Sequence, residues 1–228
     1  MSKSRKLAAL LLAAIVWCGG SWQAKAQNPS NYYIEDPRTF YGGLILGGNF
    51  TQVDGDAFAG YHKLGLNAGG IIYMHIAPNL AASMELLFSQ KGARAHKPQE
   101  GGAGNLITQY RIDLNYAEIP IQLNYFDKRK SHFGAGLSYS RLITAKESLE
   151  TNPPNQMGSP TYVNLEDYPF QKSDINFILG GNLKLWQGLF LNIRFQYSMI
   201  SVRKNIPPGY GRAEQFNNMW TVRFMYLF

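Results

Sequence analysis

The stretch that most constrains this chain is Met219 to Phe228, because it alternates without a break. Trp220, Val222, Phe224, Tyr226 and Phe228 fall on one face, and Met219, Thr221, Arg223, Met225 and Leu227 on the other. A period of two belongs to a β-strand, where successive side chains point to opposite faces. Arg223 in mid-strand needs polar company on its own side, while the aromatic stripe needs an apolar surrounding on the other. A stripe of about ten residues is the length at which a tilted strand crosses the hydrocarbon layer of a bilayer.

The same alternation recurs upstream and predicts eight strands, at residues 40–51, 63–76, 80–91, 108–126, 132–143, 174–186, 189–199 and 219–228. The third sets Leu80, Ala82, Met84, Leu86 and Phe88 against Ser83, Glu85, Ser89 and Lys91. In the fourth, the apolar set Tyr110, Ile112, Leu114 and Tyr116 gives way, one residue out of phase, to Ala117, Ile119, Ile121, Leu123 and Tyr125. A one-residue slip predicts a β-bulge near Tyr116–Ala117, and Pro120, which has no ladder donor, suits an irregular site. The connections alternate in length. Ala77-Pro78-Asn79, residues 127–131 and Gln187-Gly188 are short; residues 52–62, 92–106, 144–172 and 203–216 are long. That asymmetry predicts short turns and both termini in the periplasm, with the long loops outside. The expected fold is all-β, an eight-stranded antiparallel transmembrane β-barrel over residues 40–228 with no internal domain boundary.

Residues 1–26 read as a secretory signal peptide. Lys3, Arg5 and Lys6 precede an apolar run too short for a membrane helix, and Ala24-Lys25-Ala26 supplies the small residues of a cleavage site. Residues 27–39 follow as a polar periplasmic tail. Cys18 is the only cysteine, and Trp17 before it is too large for a lipobox, so disulfide and thiol chemistry are not expected in the mature protein. The formal charge of +7 includes the leader's four cations, which leaves an excess of +3. That balance, without a basic run interleaved with aromatics, gives no case for nucleic acid. Charged residues are 16% of the chain, low beside the roughly 25% of soluble proteins.

Tyr116-Ala117-Glu118-Ile119-Pro120-Ile121-Gln122-Leu123 resembles the Y-x-E-I-P-L-x-L signature of PorT-type outer-membrane barrels of Bacteroidota, and Gln90-Lys91-Gly92 matches a habit of the same family. The aromatic Phe228 similarly resembles the assembly signal of outer-membrane barrels. The resemblance implies a protein of the cell outer membrane, in contact with its lipid and with the barrel-insertion machinery. It also implies an accessory role in protein export by a type IX secretion system, since some relatives serve there.

Alternation alone does not say which face meets lipid, because a soluble ligand-binding barrel alternates with its apolar set inside. Low charge and unequal loops favour the membrane. The inward charges then need partners, since an unpaired charge in a closed barrel is costly. Glu85, Glu118, Arg194 and Arg223 fall near mid-strand and are expected to form an interior ion network; Arg111 and Asp113 are placed higher on the inward side and Lys184 lower. His62, His75, His96 and His132 are scattered without metal-binding spacing, and no histidine is followed by a serine two residues on, as small outer-membrane deacylases require. No catalytic residue, metal or cofactor is expected, and the protein reads as non-enzymatic. The expected function is structural or interactive, through surface loops that meet an unknown protein partner. The alternative is a narrow channel for small solutes.

Overall fold

The computed structural model describes residues 39–56, 60–95, 98–100, 106–155, 164–204 and 214–228. The expected leader, tail residues 27–38 and His96 lie outside the described residues. In chain order the strands are β1 (Phe40–Asp54), β2 (Lys63–Ala77), β3 (Leu80–Arg94), β4 (Gln99–Glu100), β5 (Leu106–Phe126), β6 (His132–Asn152), β7 (Ser173–Trp186), β8 (Leu189–Ser198), β9 (Arg203–Lys204) and β10 (Glu214–Leu227). One 3-10 turn, Leu165–Asp167, precedes β7.

Eight of these strands form an antiparallel ring in the order β1-β2-β3-β5-β6-β7-β8-β10. The closing stretch of the sequence shuts it: β10 pairs with β1 from Gly43–Leu227 to Asp54–Phe216. Closure removes the open edges that a flat sheet would expose. The ring is inside-out relative to a soluble barrel. Leu44, Leu64, Leu86, Ile121, Phe133, Leu183 and Phe224 are each more than half exposed on its outer wall. Asn67, Glu85, Glu118, Asn176, Arg194 and Arg223 are buried within it. An apolar belt right round the wall has no place in water, so it faces lipid. The fold is an eight-stranded transmembrane β-barrel.

The structure corrects the bulge expected in β5. Its alternation runs unbroken from Tyr110 to Phe126, with every even-numbered residue buried. What changes at Tyr116 is the surroundings, not the phase. Below it the outward residues are apolar and the inward set includes Glu118, Gln122 and Asn124; above it Arg111, Asp113 and Asn115 point outward and Tyr110, Ile112, Leu114 and Tyr116 inward. The strand leaves lipid for water there. The register shift at this level belongs to β6: Asn115 pairs with Thr144 and Tyr116 with Leu142, so Ile143 is the extra residue.

A second difference is length. Residues 144–152, expected as loop, continue β6 as the partner of β5 up to Leu106–Asn152. Those residues are largely exposed and carry no period of their own, so cross-strand pairing holds them. β1 and β3 run on to Asp54 and Arg94, and β10 starts at Glu214. All these extensions lie at the end with the long connections. Above the apolar belt, the β5–β6 hairpin therefore continues for about 30 Å along the strand, at about 3.3 Å per residue.

Candidate functional site

The inward positions of β3, β8 and β10 bring Glu85, Arg194 and Arg223 together inside the ring. Arg223 grips Glu85 with both ends of its fork, Nη1 to Oε2 at 2.8 Å and Nη2 to Oε1 at 2.9 Å. Arg194 Nη2 donates to Glu85 Oε1 as well, and Gln122 Nε2 adds a bond of 3.1 Å. Arg223 also donates to Asn192 Oδ1 (2.6 Å) and Asn67 Oδ1 (3.2 Å). Planar guanidinium matches planar carboxylate here, which is why arginine suits a buried pair better than lysine. Gly47 faces Arg223 across the β1–β10 ladder, and a Cβ there would lie 2.3 Å from the Arg223 Cβ and the Val222 carbonyl oxygen. The absent side chain at Gly47 is what lets the arginine enter.

Glu118, expected in the same network, belongs to a second cluster towards the outer end. Its Oε1 accepts from Ser138 Oγ and Gln196 Nε2, both at 2.7 Å. Its Oε2 lies 3.2 Å from Lys91 Nζ. Lys91 donates to Ser140 Oγ (3.1 Å) and Asn176 Oδ1 (3.3 Å), stands 3.6 Å from Asp174 and sits 5.0 Å over the Tyr116 ring. Asp174 in turn accepts from Asn217 Nδ2 at 3.0 Å. The two clusters thus set Glu85, Glu118 and Asp174 against Lys91, Arg194 and Arg223, a balanced set in which each member is buried. Lys91 and Asp174 were missing from the expected network. Lys91 is in phase with Glu85 on β3, and that phase was the available signal.

Apolar layers lie on both sides of this polar band. At the short-turn end, Tyr41, Ile45, Ile71, Tyr73, Phe126 and Phe190 form a floor with Met225 and Leu227. His132 belongs to it, stacked on Phe126 at 4.2 Å between centroids and 2.9 Å from the Tyr73 hydroxyl. Lys184, placed low by the sequence, is half-buried at this end of β7. At the long-loop end, Val53, Ala93, Tyr110, Ile112, Leu114 and Tyr116 form the roof, against which Leu142, Leu149 and Phe170 pack. The roof is built mainly on the inner face of the β5–β6 hairpin, with Val53 added from β1 and Ala93 from β3.

Arg111 and Asp113 do not point inward as expected. They face water on the hairpin, where Arg111 Nε donates to Asp113 Oδ2 at 2.7 Å and Lys63 Nζ donates to Asp113 Oδ1. Arg203, read as a loop residue, is buried and ties the outer structure together. It donates to Tyr168 O (2.6 Å), Leu165 O (3.3 Å) and Glu147 Oε1 (2.8 Å), and lies 4.5 Å over the Phe170 ring. Tyr110 also donates to Glu147, at 2.8 Å. One buried arginine thus joins the 3-10 turn to the hairpin. Phe228 stands exposed at the other end, with its N–H donating to Gly42 O at 3.0 Å. Among the described residues, no three His, Cys, Asp or Glu stand close enough to hold a metal ion.

A family model for the outer membrane protein beta-barrel domain matches residues 25–203. No curated protein matches the sequence. Solved structures of similar shape include Ail, the attachment invasion locus protein of Yersinia pestis, at 9% identity over 84% of this chain and 100% of that one, TM-score 0.43. Neisserial surface protein A is another, at 13% identity over 85% and 100% of the two chains, TM-score 0.42. The outer membrane protein AlkL is a third, at 14% identity over 87% and 95%, TM-score 0.39.

Proposed function

Because the chain belongs to the outer membrane protein β-barrel domain family and resides in the outer membrane, we propose that it is a closed surface barrel presenting the outer, open end of its β5–β6 hairpin and the neighbouring loops to a protein partner. The observation that carries this reading is the hairpin. Paired strands continue well past the apolar belt, with a packed inner face and a polar outer one. Ordering that much backbone has an entropic cost, and insertion in the membrane needs none of it. A rigid element held clear of the bilayer is suited to recognition, since little freedom is lost on binding. The closed reading draws on the polar band between floor and roof, with side chains filling a lumen as narrow as eight strands allow.

The Tyr116–Leu123 motif and Gln90-Lys91-Gly92 support the finer reading of a PorT-type barrel, and with it an accessory role in secretion. The motif's residues have structural work here: Glu118 and Gln122 anchor the two clusters, and Gly92, at φ +130°, lets β3 approach Ile112 closely. The narrow channel remains the rival, to be judged by conductance. A photo-crosslinking residue at Lys146, on the exposed outer side of the hairpin, tests the main reading in cells. Capture of one discrete partner, lost when the crosslinker moves to lipid-facing Leu183, is expected. Equal, diffuse crosslinking from both positions would contradict it. If the finer reading holds, deletion of the gene lowers export of secreted cargo; unchanged export would remove it.

A further inference from the structure

At the outer rim of the lipid-facing wall, the apolar stripe of β6 ends in a charge. Leu137 and Tyr139 face lipid, and the next residue on that face is Arg141, opposite Ser173 at the start of β7. Arg141 Nη1 donates to Ser173 Oγ at 3.2 Å, and the Tyr139 hydroxyl lies 3.0 Å from the same oxygen. Ser173 lines a crevice of about 670 Å³ with Phe170, Lys172, Ile200 and Lys204.

Arg141, Lys172 and Lys204 are all exposed. Among the described residues none of the three forms a salt bridge, although the β9–β10 ladder sets Glu214 opposite Lys204. The contrast with the interior is informative, because the cations there are each matched. Three cations without a salt bridge gather where the apolar wall of β6 and β7 stops, the depth at which lipid headgroups begin. The long connections lie at this end, so the headgroups are those of the outer leaflet. The crevice combines cationic side chains with the apolar surfaces of Phe170 and Ile200, and lipid-facing Ile175 continues below Ser173. An amphiphile with an anionic head and acyl chains fits that combination; a free anion would leave the apolar part unused.

We propose that Arg141, Lys172 and Lys204 form a binding site for the phosphate headgroup of a phosphorylated outer-leaflet lipid. The arginine fork meets two phosphate oxygens, Lys172 adds charge beside Ser173 on the same wall, and Lys204 adds charge from the facing one. Ser173 and Tyr139 hold the guanidinium at the rim. The acyl chains descend along Ile175 and Leu137. This site lies on the wall, apart from the hairpin's outer face, and stands or falls independently of the partner proposed above.

The test uses the full chain folded in detergent micelles and native mass spectrometry with three probes: lipid A, the same lipid stripped of phosphate, and inorganic phosphate. Lipid A is expected to be retained, the stripped lipid to be retained weakly, and inorganic phosphate not to displace lipid A at equal concentration. Each of Lys172→Gln and Lys204→Gln is expected to weaken retention about fivefold, and the double variant about twenty-five-fold, with the barrel still heat-modifiable on gels. Should the double variant not fold, wild-type retention must still fall as salt rises. Equal retention of stripped and phosphorylated lipid, unchanged retention in the double variant, or no salt dependence would each overturn the proposal. Full displacement by equimolar inorganic phosphate would assign the cations to a soluble anion instead.

Discussion

Glu85 is heavily engaged inside the barrel, holding two guanidiniums and an amide at once. Its net worth lies less in attraction than in what its loss would leave behind, two buried cations without a counter-charge. Glu85→Ala is therefore expected to cost about 3–5 kcal/mol, read as a lower urea midpoint for loss of heat-modifiability. Arg223→Ala should cost a similar amount, and the double variant much less than the two together. Strict additivity would mean that the pair does not act as a unit. Asp113 offers a milder case above the membrane. Burial works against its charge, but hydrogen bonds from Lys63 and Arg111 outweigh that and hold its carboxyl below the ordinary 3.8. Folded protein then binds fewer protons than unfolded protein around that value. The contribution is present in full above the unfolded value and is lost as pH falls through the folded one. Asp113→Asn should flatten the acid limb of the stability profile below about pH 4 and leave the neutral region nearly parallel to wild type; an unchanged acid limb would contradict this.

Three added residues at the outer ends of β1 and β3, and five at that of β10, are a small matter beside the misread phase of β5. In sequence, a bulge and a change of surroundings write the same string, because either one transfers the apolar set from one parity to the other. Only the position of the membrane separates them, and that comes from the whole ring. The same cause displaced Arg111 and Asp113 from the inward face. β6 above Leu142 was illegible for another reason: its partner strand, not its own period, makes it a strand. By contrast the eight barrel strands, their order and the inward setting of Glu85, Glu118, Arg194 and Arg223 were legible, because lipid on one side enforces strict alternation. Lys91 and Asp174 sat too near the expected strand ends to be counted. The switch at Tyr116 predicts a position-dependent tolerance on one side of β5. Ile121→Arg, in the belt, should destabilise by about 2–4 kcal/mol. Gln109→Arg, on the same side but above Tyr116, should change stability by no more than about 0.5 kcal/mol. Comparable penalties at both sites would return the bulge to consideration.

Taken as a whole, the molecule is a membrane wall around a filled interior. A floor of aromatic side chains, a charge-balanced polar band and an apolar roof succeed one another along the axis. Interior charges of equal number and opposite sign give ions no net field to follow, and the packed layers leave side chains where a pore would hold water. The open ends of β5 and β6 then rise from the roof as a continuation of the same ring. A filled lumen serves stability, which leaves the proposed work to the surfaces. The most direct measurement is single-channel recording of the purified, folded protein in a planar bilayer. A closed lumen predicts no steady conductance in the wild type, and none, or only brief, irregular openings, in Arg223→Glu. A stable, ion-selective conductance in the wild type, with selectivity altered by Arg223→Glu, would contradict it.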